Sequence, residues 1–209
     1  MSNVGKKHLT IAPSNSTSDN TYSSVNNQSV LRFDIGSSGM MIGQDVRLEF
    51  DIEYFRTGGG AVDMTHDYNI DPYLANNAVI KSISWQSRRF NEKILERVNN
   101  YPLLCKHLIS SLSSKEDLET HQFHESGCKG VDVNKIDNSN IKFNGLIKSA
   151  RRNLVGSNSV VLKLFTGITL SDPIDLDLTQ GLTCEIVLAN ASEILKGVDA
   201  NNGSYTISN

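Results

Sequence analysis

The nine residues from Val46 to Tyr54 constrain this chain more than any other stretch of it. Val46, Leu48, Phe50, Ile52 and Tyr54 alternate without a break with Arg47, Glu49, Asp51 and Glu53. A helix would scatter those charges around its circumference, whereas a strand sends successive side chains to opposite faces. The stretch therefore predicts an antiparallel strand with one dry and one wet face.

One strand needs partners, and the rest of the chain supplies them. Leu31, Phe33 and Ile35 alternate with Arg32 and Asp34 in a strand expected over Ser29–Ile35, followed by a Gly-Ser-Ser-Gly turn. Ala78–Gln86 predicts another strand, with Val79, Ile83 and Trp85 on one side. Val160–Phe165 is apolar on both faces apart from Lys163, which predicts a strand buried more deeply than the others. Ile174, Leu176 and Leu178 alternate with Asp175 and Asp177. The pattern returns over Leu182–Leu188 and Ser204–Ser208.

In the middle of the chain the period changes. Phe90, Ile94, Leu95, Val98 and Tyr101 recur at three and four, the spacing of an amphipathic helix. Pro102 ends that helix at Tyr101 and opens a second one carrying Leu103, Leu104, His107, Leu108 and Ile109. A third begins near Ser114, where a cap residue precedes Glu116 and Asp117. The expected fold is all-β, an antiparallel β-sandwich with a helical insertion around residues 90–122.

At 209 residues there is room for one sizeable domain and an arm. Residues 1–28 read as a polar, flexible N-terminal arm, because Pro13–Ser29 is nearly all Ser, Asn, Thr and Asp and cannot bury enough surface to fold alone. Residues 29–209 form the sandwich domain. Charge is nearly balanced, with 20 basic and 23 acidic residues well mixed, so no basic stripe exists to neutralise a row of phosphates. Nucleic-acid contact is not expected, and Lys6 and Lys7 are too few to change that. The polar N-terminus lacks the apolar core of a secretory signal, and no run of 18 apolar residues predicts a membrane span. Three scattered cysteines do not make a disulfide framework, and Asn15, Asn27, Asn190 and Asn202 sit in sequons that an Asn/Ser-rich chain acquires by chance.

Little in the chain points to catalysis. His121, His124 and Cys128 have metal-ligand chemistry at close spacing, but a closed zinc site wants four ligands and Cys105 or His107 would have to fold back to supply one. No site for a metal or other cofactor is therefore expected. There is no G-x-S-x-G elbow, and Cys105 and Cys184 lie on apolar faces where a thiol packs as a small hydrophobe. Glu49 with Asp51, and Asp175 with Asp177, lie at strand spacing on a wet face, which does not raise a carboxyl's pKa for acid catalysis. Gly58-Gly59-Gly60 follows a strand, but no helix or Lys-Ser/Thr pair comes after it to cradle phosphate.

The last fifty residues carry a family likeness. Val160-Val-Leu-Lys-Leu-Phe-Thr-Gly-Ile-Thr-Leu, then Asp172-Pro-Ile, then Leu182-Thr-Cys-Glu-Ile-Val-Leu-Ala-Asn, and finally Tyr205-Thr-Ile-Ser-Asn form an ordered series. It resembles the first jelly roll of the double jelly-roll major capsid proteins of DNA viruses, such as those of virophages, Polinton-like elements and large icosahedral viruses. Asn100-Tyr101 and the alternating strand Val46–Tyr54 fit the same order, so the likeness spans about 29–209. It implies a viral jelly roll and a structural capsid protein, without enzymatic activity, made in the host cell without a secretory signal and destined for the virion. The partners it implies are copies of the same chain, as a trimeric capsomer or as a pentamer for a single roll, and other capsid proteins. Members of the family are far longer, and the chain ends inside a strand pattern at Asn209, so one roll of a longer product is the expectation. The alternative is a non-enzymatic sandwich that binds a receptor or a glycan through Tyr68 and Tyr73.

Overall fold

The computed structural model describes residues 6–15, 21–22, 29–56, 75–90, 93–112, 114, 158–194 and 203–208. The strand read from strict alternation is β4, Arg47–Arg56. Its Leu48, Phe50 and Ile52 are buried, while Glu49 points to solvent. β4 lies in the middle of a sheet whose order is β1-β10-β4-β7, with β1 at Thr21–Tyr22, β7 at Asn158–Lys163 and β10 at Gly203–Ser208. A second sheet has the order β2-β9-β5-β6, with β2 at Val30–Ile35, β5 at Ile80–Ser87, β6 at Lys93–Val98 and β9 at Leu182–Leu188. A small ribbon joins β3, Met40–Met41, to β8, Ile174–Asp175.

Among the described residues all pairings are antiparallel, and their order defines the fold. Setting β3 and β8 aside leaves eight principal strands there in chain order. The first pairs with the eighth (β1 with β10), the second with the seventh (β2 with β9), the third with the sixth (β4 with β7) and the fourth with the fifth (β5 with β6). That is one long ribbon of strand pairs. Cross-pairings of β10 with β4 and of β9 with β5 then roll the ribbon into two facing sheets. An eight-stranded ribbon rolled in this way is a jelly roll.

The space between the sheets is filled by the inward residues of both. Ile52, Leu162 and Tyr205 come from the first sheet, and Ile80, Ile83, Trp85, Leu182 and Ile186 from the second. Each such side chain contributes roughly 1.5–3 kcal/mol by leaving water. Tyr22, from the segment read as an arm, is buried among them and pairs with Ile207.

Three elements differ from the sequence reading. The helical insertion expected around residues 90–122 contains a strand: residues 93–98 form β6, and the helix among the described residues of this span is α1, Tyr101–Leu112. The ladder between β5 and β6 shifts register at Trp85/Gln86, where Glu96 and Ile94 are partnered and Leu95 is passed over. One extra residue in a period of two leaves apolar side chains at spacings that mimic a helix. The third helix, expected near Ser114, lies outside the described residues. The second difference is at Ile174–Leu178, where the strand stops after Asp175. Its carboxylate accepts from Asp177 N–H at 2.9 Å and caps the short helix α3, Leu176–Thr179. Third, β7, expected to be the most deeply buried strand, stands at the end of its sheet's order, with Val161 and Lys163 half-buried.

Candidate functional site

At one end of the roll three connections meet: residues 36–46 after β2, residues 88–90 after β5, and residues 164–181 between β7 and β9. Thr166, Gly167, Ile168 and Thr169 organise it. Thr166 is the cap of α2, Gly167–Leu170. Its Oγ1 accepts from Thr169 N–H, while its own N–H donates to Thr169 Oγ1 at 2.9 Å. The Thr166 hydroxyl oxygen also accepts from Trp85 Nε1–H at 3.1 Å, tying the turn to the core of the other sheet. The Thr169 hydroxyl donates to Leu164 C=O at 2.6 Å.

The two remaining free donors at the start of α2 go to one carboxylate. Glu96 on β6 accepts from Gly167 N–H at 2.6 Å and from Ile168 N–H at 2.8 Å. Negative charge is favoured there because the first-turn N–H groups have no partner within the helix. Phe165 N–H donates to the Tyr101 hydroxyl at 3.0 Å, which fixes the start of α1 against the same turn.

The neighbouring connections are locked onto this one. A Cβ on Gly43 would lie 2.5 Å from Ile168 C=O, so only glycine allows the 36–46 connection to pack here. Leu176 N–H donates to Gly39 C=O, the Ser87 hydroxyl to Thr179 C=O, and Arg89 to Leu178 C=O. α3 ends at Gln180 and Gly181, both with positive φ, and a Cβ on Gly181 would sit 2.8 Å from Ile35 C=O. Arg88 bonds Asp34 at 2.7 Å and, with Thr183 and Ser14, holds its carboxyl below the usual range. The rim of this rigid plate exposes Met40, Ile42, Leu170 and Leu178. Its chemistry suits docking against another surface.

Several of the residues considered for reactive chemistry are not described. His121, His124 and Cys128, the glycines 58–60, and Tyr68 and Tyr73 lie outside the described residues. His107 is exposed on α1. Among the described residues, no group of three or more His, Cys, Asp or Glu side chains is placed to hold a metal ion. Cys105 and Cys184 are buried, as their apolar surroundings in the sequence predict. Burial pushes the Cys184 thiol well up and, with Cys105 beside it, the Tyr101 hydroxyl likewise, so both groups stay protonated and unreactive. No helix among the described residues is long and apolar enough to cross a membrane.

The role of Glu96 was not legible in the sequence, since it is fixed only by the bulged strand. Thr166 and Thr169 did leave a signal, the three-residue spacing of a capping box.

No family model matches the chain, and no curated protein does. Six chains of solved structures match. One of them, the crystal structure of mavirus major capsid protein, is similar over the whole of this chain, with 14% identity and a TM-score of 0.48. The chain spans 48% of that protein's length. At this identity and TM-score the likeness adds nothing to the strand pairing, which defines the jelly roll by itself.

Proposed function

We propose that this chain is a structural subunit of an icosahedral virus shell, acting by self-assembly and not by catalysis. The observation that carries the reading is the order of strand pairs, first with eighth through fourth with fifth, an architecture that viral shell domains use. The residues that resemble the double jelly-roll capsid family support it, because they also hold this fold together. Thr166-Gly167-Ile168 is the capped turn gripped by Trp85 and Glu96. Leu182–Leu188 is the seventh principal strand, and the Tyr205 hydroxyl on the eighth donates to Ala189 C=O.

In this reading the virion is where the chain works, and its partners are copies of itself, grouped as trimers for a double roll or pentamers for a single one. The chemistry is complementary packing: a rigid plate with apolar side chains on its rim gives neighbours a surface that does not rearrange on contact. Light scattering on the purified natural-length protein, with electron micrographs of the same fraction, tests it. A trimer, a pentamer or closed particles is the expected result. A strict monomer at high concentration would overturn it.

A further inference from the structure

Two surface patches of this fold have apolar centres and borders of opposite sign. The first is the rim of the plate. Leu170 and Leu178 are exposed there, and Asp172 and Asp177, one or two residues away in the chain, are exposed with them. Met40, also exposed, stands across the β3–β8 ribbon from Asp175. The second patch is on β6, where Ile94 and Leu95 are 46% and 43% exposed and lie between exposed Lys93 and Arg97.

Among the described residues, the charges that would cancel these borders are engaged locally. On the plate, Arg88 pairs with Asp34 and Lys6 with Asp45. Arg89 donates to Leu178 C=O and faces three carboxylates, those of Asp172, Asp175 and Asp177. On β6, Glu96 turns both carboxylate oxygens to Gly167 N–H and Ile168 N–H of α2. The outward charge is therefore acidic around Leu170 and Leu178 and basic around Ile94 and Leu95. Like charges brought together across a contact repel, so neither patch suits its own copy, and each suits the other.

The patches also adjoin. Glu96 stands between Leu95 and Arg97 and is bonded to α2, which ends at Leu170. A subunit in a closed ring presents two neighbouring faces, one to each side, and head-to-tail contacts that close make rings.

We propose that the acidic plate rim of one copy docks on the basic β6 patch of the next, a head-to-tail contact between copies of this chain. Apolar side chains meet at its centre, and the flanking carboxylate–cation pairs fix its orientation. The inference rests on the reading of the chain as a self-assembling subunit, to which it adds the surfaces that meet.

The test is charge reversal in the full chain, read by light scattering over a concentration series. Asp172→Lys with Asp177→Lys makes both patches basic, and Lys93→Glu with Arg97→Glu makes both acidic. Each double variant is expected to need about tenfold more protein to associate by half. The fourfold variant, carrying both reversals, is expected to associate like the wild type, because its patches are again opposite. All four side chains are exposed, and recovery in the fourfold variant shows that the reversals leave the fold intact. Association unchanged in either double variant would overturn the contact, and so would a fourfold variant no better than the doubles. A wild type that stays monomeric overturns the shell reading itself, whereas an assembling wild type indifferent to the reversals overturns this contact alone.

Discussion

The two sheets of the roll reach the same four-stranded antiparallel form by different means. In the first, β4 pairs with β7 and with β10 in unbroken register, and its inner face is filled mainly by apolar side chains at Leu48, Phe50, Ile52, Val160, Leu162 and Ile207, with the Tyr205 hydroxyl as its polar tie, donating to Ala189 C=O. In the second, β5 shifts register twice, at Ile80/Ser82 and at Trp85/Gln86, and its buried residues include Ser84, Ser87 and Thr183. Polar ties reaching in from other elements hold it: Thr166 to Trp85, Glu96 to α2, and Ser87 to Thr179. A regular strand needs only the hydrophobic effect to choose its face. A bulged strand needs specific bonds to say where the extra residue goes.

If this contrast is right, the first sheet is most sensitive to lost volume and the second to lost hydrogen bonds. The largest expected effect is at Leu162 on β7. Leu162→Ala should cost about 2–5 kcal/mol in urea unfolding, since the side chain is fully buried and its removal leaves a cavity in the core. Thr166→Val, which nearly keeps the volume, should cost about 1–3 kcal/mol by orphaning the buried Trp85 Nε1–H together with the capped Thr169 N–H. A cost near zero for this variant would erase the distinction between the sheets.

The contrast also explains how much of the molecule the sequence revealed. β4 and β9 announced themselves because each keeps a period of two with no interruption. β6 did not: the bulge places Ile94, Leu95 and Val98 at helix-like intervals, and nothing local reveals a missing partner at Leu95. Ile174–Leu178 misled for a related reason, since an Asp in an alternating run also caps helices, and at Asp175 the cap won. Of the locked plate, the capping spacing of Thr166 and Thr169 was readable, whereas the Glu96, Trp85 and Gly43 contacts join residues far apart in the chain. Those exist only once the roll has closed.

Two smaller effects sharpen the same comparison. Glu96→Gln should cost about 0.5–2 kcal/mol, because the amide keeps one acceptor for α2 but presents a donor to the other N–H. Amide exchange at Gly167 and Ile168 would localise the loss. The smallest effect concerns Asp34, whose pKa is depressed by Arg88. A depressed carboxylate stabilises the fold fully above its unfolded value of about 3.9, and that stability is lost as pH falls through the folded value. Asp34→Asn should therefore flatten the acid limb of the stability curve below about pH 4. Because the pair is partly exposed, the change should stay below about 1 kcal/mol.

The ribbon order has a consequence for how the chain is made. Tyr22 pairs with Ile207 across most of the sequence, and Leu31 with Ile186, whereas the hairpin of β5 and β6 closes over a few residues. During synthesis that hairpin can form early, but the outermost pair must wait until nearly the whole roll has left the ribosome. Loop closures of that span make for slow folding, with the β1 face of the core uncovered in the interval. In that interval the apolar inner face of the sheets, Ile207 included, would be open to non-native contacts, so refolding at high protein concentration should lose material to aggregation before the last strand pair closes.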